Sequence, residues 1–249
     1  MLQNTLEPRA TTAPSLVDLR RFAKEAVTGP ASQTDTQEDA FLANRHPLET
    51  APAPVEIGAI RLEAGTGRVA ELPAAEFIIV CDGSLSLERQ GNSLELAAGA
   101  SAVLTAGSGF DWRCAESVTL LYMRYLDETA KDSGLIPIDE SARLDPSGTP
   151  ALELLIGPTP QCRNHTDYRS ADGEFVCGIW DSTPYHRRAM QSRQFELMHL
   201  LEGAVKVVDQ IGGTHTFAKG DIFLVEKDAL WSWESLEVVK KVYAIYRPA

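Results

Sequence analysis

Apolar and polar residues alternate over much of the chain from Val55 onward, and glycines repeatedly cut the alternation. Residues 84–89 follow a period of two and run into Gly91 and Asn92, the pattern of a strand entering a hairpin turn. Residues 194–203 are more densely apolar, with Glu196 seven positions before Gly203, and predict a buried strand closing on a tight turn. Gly220 and Asp221 mark another turn, feeding the apolar run 222–225. Ahead of the strands, Leu16, Leu19, Ala23 and Ala26 recur at helical spacing. With Ser15 and Asp18 read as a capping box and Gly29-Pro30 as a stop, one amphipathic helix is expected over 15–27. Residues 30–54, rich in Pro, Ala, Thr and Asp, read as irregular chain lying across the strands. Between 127 and 172, turn signals at Asp132-Ser133-Gly134, Asp145-Pro146-Ser147-Gly148 and Gly157-Pro158 surround the apolar segment 151–156. That segment is expected to pack on a sheet as an extra strand, because so apolar an edge left open invites aggregation.

The chain also repeats itself. Adding 120 carries Gly58 to Gly178, Arg68 to Arg188, Glu76 to Glu196 and Gly83 to Gly203. Adding 121 carries Gly99 to Gly220, Phe110 to Trp231, Trp112 to Trp233, Tyr122 to Tyr243 and Tyr125 to Tyr246, the extra residue falling near Gly212-Gly213. Two copies of one unit follow, 55–126 and 174–247. Many short strands with glycine turns close best into a jelly roll, which leaves few exposed edges. The expected fold is all-β, two tandem double-stranded β-helix barrels with a short N-terminal helix. The expected divisions are an arm over 1–54, a barrel over 55–126, a linker packed on the barrels over 127–173 and a second barrel over 174–249.

Glu196 with Gly203, and Gly220 beyond them, resemble the two motifs of the cupin superfamily, G-x5-H-x-H-x3,4-E-x6-G and G-x5-P-x-G-x2-H-x3-N. Within that RmlC-like superfamily, residues 178–184, Gly220-Asp221, Trp231-Ser232-Trp233-Glu234 and Lys241-Val242-Tyr243 are similar to the ureidoglycine aminohydrolase and ethanolamine-utilisation type. The resemblance implies a bicupin and, in its enzymes, a metal site. Here the H-x-H positions fall on Met190 and Ser192, or on Ala189 and Gln191, and the histidine of the second motif falls on Trp231. The E-x-H…H…Q ligand set of the aminohydrolases has no counterpart residue by residue.

Composition narrows the partners. Lys and Arg number 23 and Asp and Glu 35, so 23 − 35 = −12, with a pI near 4.9 over 249 residues. Such a balance argues against nucleic acid and against an anionic membrane, and leaves a small molecule as the expected partner. The opening residues lack the basic flank and apolar core of a signal peptide and no run reaches membrane-spanning length, so a cytoplasmic location is expected. Cys81, Cys114, Cys162 and Cys177 show no C-x2-C spacing and read as buried free thiols. The five histidines, His46, His165, His186, His199 and His215, contain no H-x-H pair. No metal or other cofactor is expected.

The candidate chemistry lies where the two copies differ. Glu76 and Glu196 share a repeat position, and the simplest reading pairs them with Arg68 and Arg188, eight residues upstream. The functional alternative makes Glu196 a general acid/base with a raised pKa, working with Lys241. Where the second copy has Tyr185-His186-Arg187-Arg188 the first has Gly65-Thr66-Gly67-Arg68, and Lys241 replaces Leu120. The second barrel is therefore expected to hold a small anionic, carboxylate-type metabolite. Trp231, Trp233 and Tyr243 would wall the slot, and His186, Arg188 and Lys241 would supply charge. Met190 joins this set at the first H-x-H position, although methionine also fills core gaps. Two other readings stand beside this one: a metal-dependent hydrolase like the aminohydrolases, and a structural or regulatory protein without chemistry. Phe195, Leu197 and His199 form an apolar stripe opposite Glu196 that needs a cover from the N-terminal helix, the other barrel or a second chain. A homodimer is expected.

Overall fold

A computed structural model describes residues 15–28, 39–127 and 133–249. Ahead of the first repeat lie β1 (Leu16–Asp18), α1 (Leu19–Ala26), α2 (Ala40–Ala43) and β2 (Arg45–Pro47). The first repeat forms β3 (Val55–Leu62), β4 (Gly65–Val69), β5 (Ala75–Asp82), β6 (Ser84–Arg89), β7 (Asn92–Ala97), β8 (Ser101–Leu104), β9 (Phe110–Cys114) and β10 (Val118–Tyr125). The connector adds β11 (Leu135–Pro137), β12 (Asp145–Pro146), a 3-10 turn at Leu152–Leu154 and β13 (Cys162–Arg169). The second repeat is β14 (Phe175–Ser182), β15 (Tyr185–Gln191), β16 (Phe195–Glu202), β17 (Ala204–Val208), β18 (Thr214–Ala218), β19 (Ile222–Val225), β20 (Leu230–Ser235) and β21 (Val239–Tyr246).

Each repeat closes as two antiparallel sheets. In the first, the order β11-β8-β5-β10-β3-β2 faces β4-β9-β6-β7. In the second, β1-β19-β16-β21-β14-β13-β12 faces β15-β20-β17-β18. The fold is the all-β, two-barrel architecture that the repeat predicts. The strand edges are extended by segments from outside the repeats: β2 and β11 pair onto the first barrel, β1 and β13 onto the second. Repeated glycines have a steric cause. A Cβ on Gly58 would come within 2.6 Å of the Tyr122 hydroxyl, and one on Gly178 within 3.0 Å of the Tyr243 hydroxyl, its repeat mate. Gly83 and Gly203 take φ of 81° and 76° at the turns after β5 and β16, where a side chain would be strained.

Strand parity divides the residues of the large sheets between two cores. Phe195 and Leu197 on β16, Val242, Ala244 and Tyr246 on β21, and Cys177 and Ile179 on β14 face away from the second barrel's interior. They pack against Ile57, Phe77, Ile79, Leu121 and Met123 of the first barrel, with Leu19 and Ala23 of α1 in the same cluster. The apolar stripe opposite Glu196 is thus covered within one chain, by the other barrel and the helix. His199 continues the stripe and is buried. Desolvation, aided by the charge of Arg20, pushes it down to about 4. Cys114, Cys162 and Cys177 are buried and Cys81 half-buried, all as free thiols.

Two local expectations are corrected. Asp18, not Ser15, caps α1 by accepting from the Arg21 N–H, while Ser15 donates its hydroxyl to Glu226 at 2.9 Å. The reason is that residues 16–18 pair with β19 and postpone the helix by one turn. The apolar segment 151–156 is not a strand: it makes the 3-10 turn, leaves Leu152 72% exposed and touches β15 through Leu155 opposite Arg187. The extra strands come instead from 135–137, 145–146 and 162–169. The polar opening of the chain, the Gly29-Pro30 stop and Asp132 lie outside the described residues. Among the described residues no helix is long and apolar enough to cross a membrane.

Candidate functional site

The inner face of the second barrel's large sheet carries Trp180 on β14, Glu196 and Met198 on β16, and Lys241 and Tyr243 on β21. Opposite them stand Tyr185, Arg187 and Met190 of β15 and Trp231 and Trp233 of β20. A cavity of about 650 Å³ separates the two sets, with Asn164 and Thr166 of β13 and Ser147 to Pro150 of the connector at its border.

Lys241 sits across from Leu200 in the ladder, and its long side chain runs back along the sheet to the carboxylate of Glu196, Nζ to Oε1 at 2.6 Å. On the way the ammonium passes Met198 Sδ at 3.1 Å and lies 4.8 Å from the centre of the Trp180 ring and 5.4 Å from that of Trp233. The other Glu196 oxygen accepts from Gln194 Nε2 at 2.8 Å, and Gln194 is held in turn by Arg247. Desolvation acts to raise the pKa of Glu196, but the charge and hydrogen bond of Lys241 and the bond from Gln194 outweigh it and hold the carboxyl below its ordinary value. Glu196 is therefore an anion at neutral pH. The shift runs downward, where the acid/base reading expects a raised pKa, and Glu196 forms one half of a buried ion pair with Lys241.

The partner expected for that carboxylate is corrected. Arg188 is exposed, and Arg68 makes only a 3.6 Å pair with Asp111 in water. Glu76 is instead clamped by Arg45 of β2, Nη1 to Oε2 at 3.0 Å, and Arg124 of β10, Nε to Oε2 at 2.8 Å. Of the eight proposed site residues, Glu196, Lys241, Met190, Trp231, Trp233 and Tyr243 border the cavity, and His186 and Arg188 do not.

Arg187 takes the inward position. It is 5% exposed, and its guanidinium lies 4.6 Å from the centre of the Trp231 ring. Its Nη1 donates to the carbonyls of Arg188 at 3.1 Å and Trp231 at 3.2 Å. A bulge in β15 after Arg187 allows Met190, three residues on, to face the same cavity. Sequence reasoning fixed on Arg188 because Arg68 is its repeat mate. The available signal was the neighbouring exchange of Gly67 for Arg187, the larger chemical change of the two. Trp180, Tyr185, Asn164 and Thr166 were also missed, the last two because β13 lies outside the repeat.

Residues 169–243 match the family model described as EutQ-like cupin domain. A protein of unknown function from the DUF861 family of Pseudomonas syringae pv. tomato superposes with a TM-score of 0.79 at 26% identity, over 87% of this chain and 92% of that one. The fold is that of a bicupin. Two further solved structures share the fold. E. coli Ylba, also of the DUF861 family, gives a TM-score of 0.55 at 14% identity over 100% of this chain and 97% of its own. The salicylate 1,2-dioxygenase of Pseudaminobacter salicylatoxidans gives 0.55 at 12% identity over 99% and 88%. No curated protein matches the chain.

The cupin fold brings with it the question of a metal, and the donor set of this bicupin does not fit one. At the motif's ligand positions stand Met190, Ser192 and Trp231, and the Ser192 hydroxyl is engaged with the carbonyl of Gln194 at 2.7 Å. Glu196 is the remaining hard donor, and an ammonium already occupies its oxygen. A divalent ion beside Nζ would meet like charge across a few ångströms. Among the described residues no three His, Cys, Asp or Glu side chains converge on one point.

Proposed function

We propose that the second barrel of this bicupin binds a small anionic metabolite of the carboxylate type. The observation that carries the reading is an inversion of charge. The cavity is bordered by Arg169, Arg187, Arg193, Lys241 and Arg247 against Glu174 and Glu196, 5 − 2 = +3, in a chain whose net charge is −12. Cations gathered in a concave, aromatic-walled site attract an anion and leave an apolar wall for the rest of the molecule. Lys241 is neutralised by Glu196, so Arg187 carries the uncompensated inner charge: no carboxylate lies within ion-pair distance of it among the described residues. Burial pulls its pKa down from the ordinary value, with Tyr185 and Glu196 acting the other way. An anionic ligand relieves that cost.

The test is thermal unfolding in a panel of small carboxylates and their primary amides. Carboxylates should raise the Tm and amides of equal shape should not, and Met190→Trp, which fills the cavity, should abolish the shift. Equal shifts from acids and amides, or none from either, would contradict the reading.

A further inference from the structure

The first barrel contains a carboxylate of the chain itself, docked on the repeat mate of the second barrel's cavity wall. Asp39, the cap of α2, accepts from Trp112 Nε1 at 2.7 Å with one oxygen and from the Arg68 backbone N–H at 2.9 Å with the other. Trp112 stands opposite Gly67 in the β4–β9 ladder. A Cβ on Gly67 would run into that Asp39 oxygen and, at 2.6 Å, into the Trp112 indole. The carboxylate therefore sits over the Gly67–Trp112 pair because residue 67 has no side chain.

In the second barrel the same pair is Arg187 and Trp233. Trp233 borders the cavity, and its Nε1–H is buried without an acceptor among the described residues, in contrast to Trp112. Arg187 uses only Nη1 for hydrogen bonds to the protein. Its Nε and Nη2 have no partner among the described residues and are not sealed within protein, and Arg187 borders the cavity. Those two nitrogens are one edge of the planar guanidinium, a fork whose spacing matches the two oxygens of a carboxylate.

Resting on the binding reading above, we propose that the ligand is a monocarboxylic acid with an apolar body, its carboxylate bidentate on the Nε–Nη2 edge of Arg187. It binds farther into the cavity than Asp39 does in the first barrel, because the Arg187 side chain begins where a Cβ on Gly67 would meet the Asp39 oxygen. The body lies against Trp180, Tyr185 and Tyr243, which border the same space. At this pair the first barrel holds a carboxylate of its own, and the second places a cation that calls for an anion from solution.

The experiment is a titration of nitrogen-15-labelled full-length protein with benzoate, then hexanoate, following the four tryptophan indole resonances and the arginine Nε–H groups. The Arg187 Nε–H proton should move downfield, while the Trp112 indole, in the first barrel and already bonded to Asp39, stays in place. Arg187→Lys keeps the charge but not the fork and should weaken benzoate about tenfold or more. Should that variant fail to fold, the wild-type spectra decide alone. Movement of any second-barrel indole with Arg187 unmoved would overturn this assignment and leave barrel binding intact. No movement of any indole and no Tm shift with either acid would overturn both.

Discussion

The two barrels share strand order, glycines and a buried glutamate, yet one is filled and the other is open. In the first, Glu76 is fully buried between two arginines, Tyr122 reaches Glu56 at 2.7 Å, and α2 brings Phe41 against Phe110 with Asp39 on Trp112. In the second, a single lysine balances Glu196, the Arg187 side chain stands where Asp39 would be, and about 650 Å³ stays empty of protein. A duplicated unit has thus kept its framework in both copies, while the cavity of about 650 Å³ lies in the second. What separates them is a few side chains: Gly67 against Arg187, Leu120 against Lys241, Phe110 against Trp231.

The largest effect should come from breaking the first barrel's clamp. Glu76→Ala leaves Arg45 and Arg124 buried without a counter-charge and should cost about 3–5 kcal/mol in chemical denaturation, without touching ligand binding in the second barrel. Lys241→Met should cost less, about 2–3 kcal/mol, because the Glu196 it strands borders a cavity that water can enter. The double variant Glu196→Gln/Lys241→Met should recover most of that loss in the same measurement. A single-variant loss that the double variant fails to recover would mean the pair is not the unit described.

pH separates the second barrel's interior from the face between barrels. Glu196 has a folded pKa held below the ordinary 4.5 of a free glutamate, so its contribution is fully present above that value and is lost as pH falls through the lower folded pKa. His199, lowered from 6.5 to about 4, binds a proton more readily when unfolded, so stability should fall as pH drops from 6.5 towards 4. In that window the slope from His199 alone approaches about 1.4 kcal/mol per pH unit. His199→Phe should flatten that window, and Glu196→Gln should flatten only the more acidic limb. Curves measured by urea denaturation across pH 3.5–7.5 test both, and unchanged slopes would show that neither residue is held as described.

The smallest effect is expected on the outer face of β15. Arg188→Ala should change stability by less than about 0.5 kcal/mol and leave benzoate binding unaltered, since an exposed arginine contributes little. Arg187→Ala, one residue away, should remove binding. Comparable losses from both would erase the distinction between inward and outward positions.

That pair also marks how far the sequence could be read. The repeat offset, the glycines and the alternation made the two barrels legible, because backbone sterics and strand parity act locally and recur at fixed spacing. Glu196 and Lys241 were legible as candidates because they stand on regular strands. Their pairing was not, since it depends on Lys241 reaching back along its strand past Met198. Arg187 was hidden by a bulge and by the false lead of Arg68. Asp39 on Trp112 was beyond reach for another reason: the segment carrying it has no repeat mate and its contact spans 73 residues.

The most direct measurement of the central claim is a crystal structure of the protein soaked in 4-bromobenzoate, with bromine located by anomalous scattering. A bromine peak should lie inside the second barrel near Trp180 and Tyr243, with the carboxylate on Arg187 and no peak in the first barrel. Bromine in the first barrel, or outside both barrels only, would contradict the account.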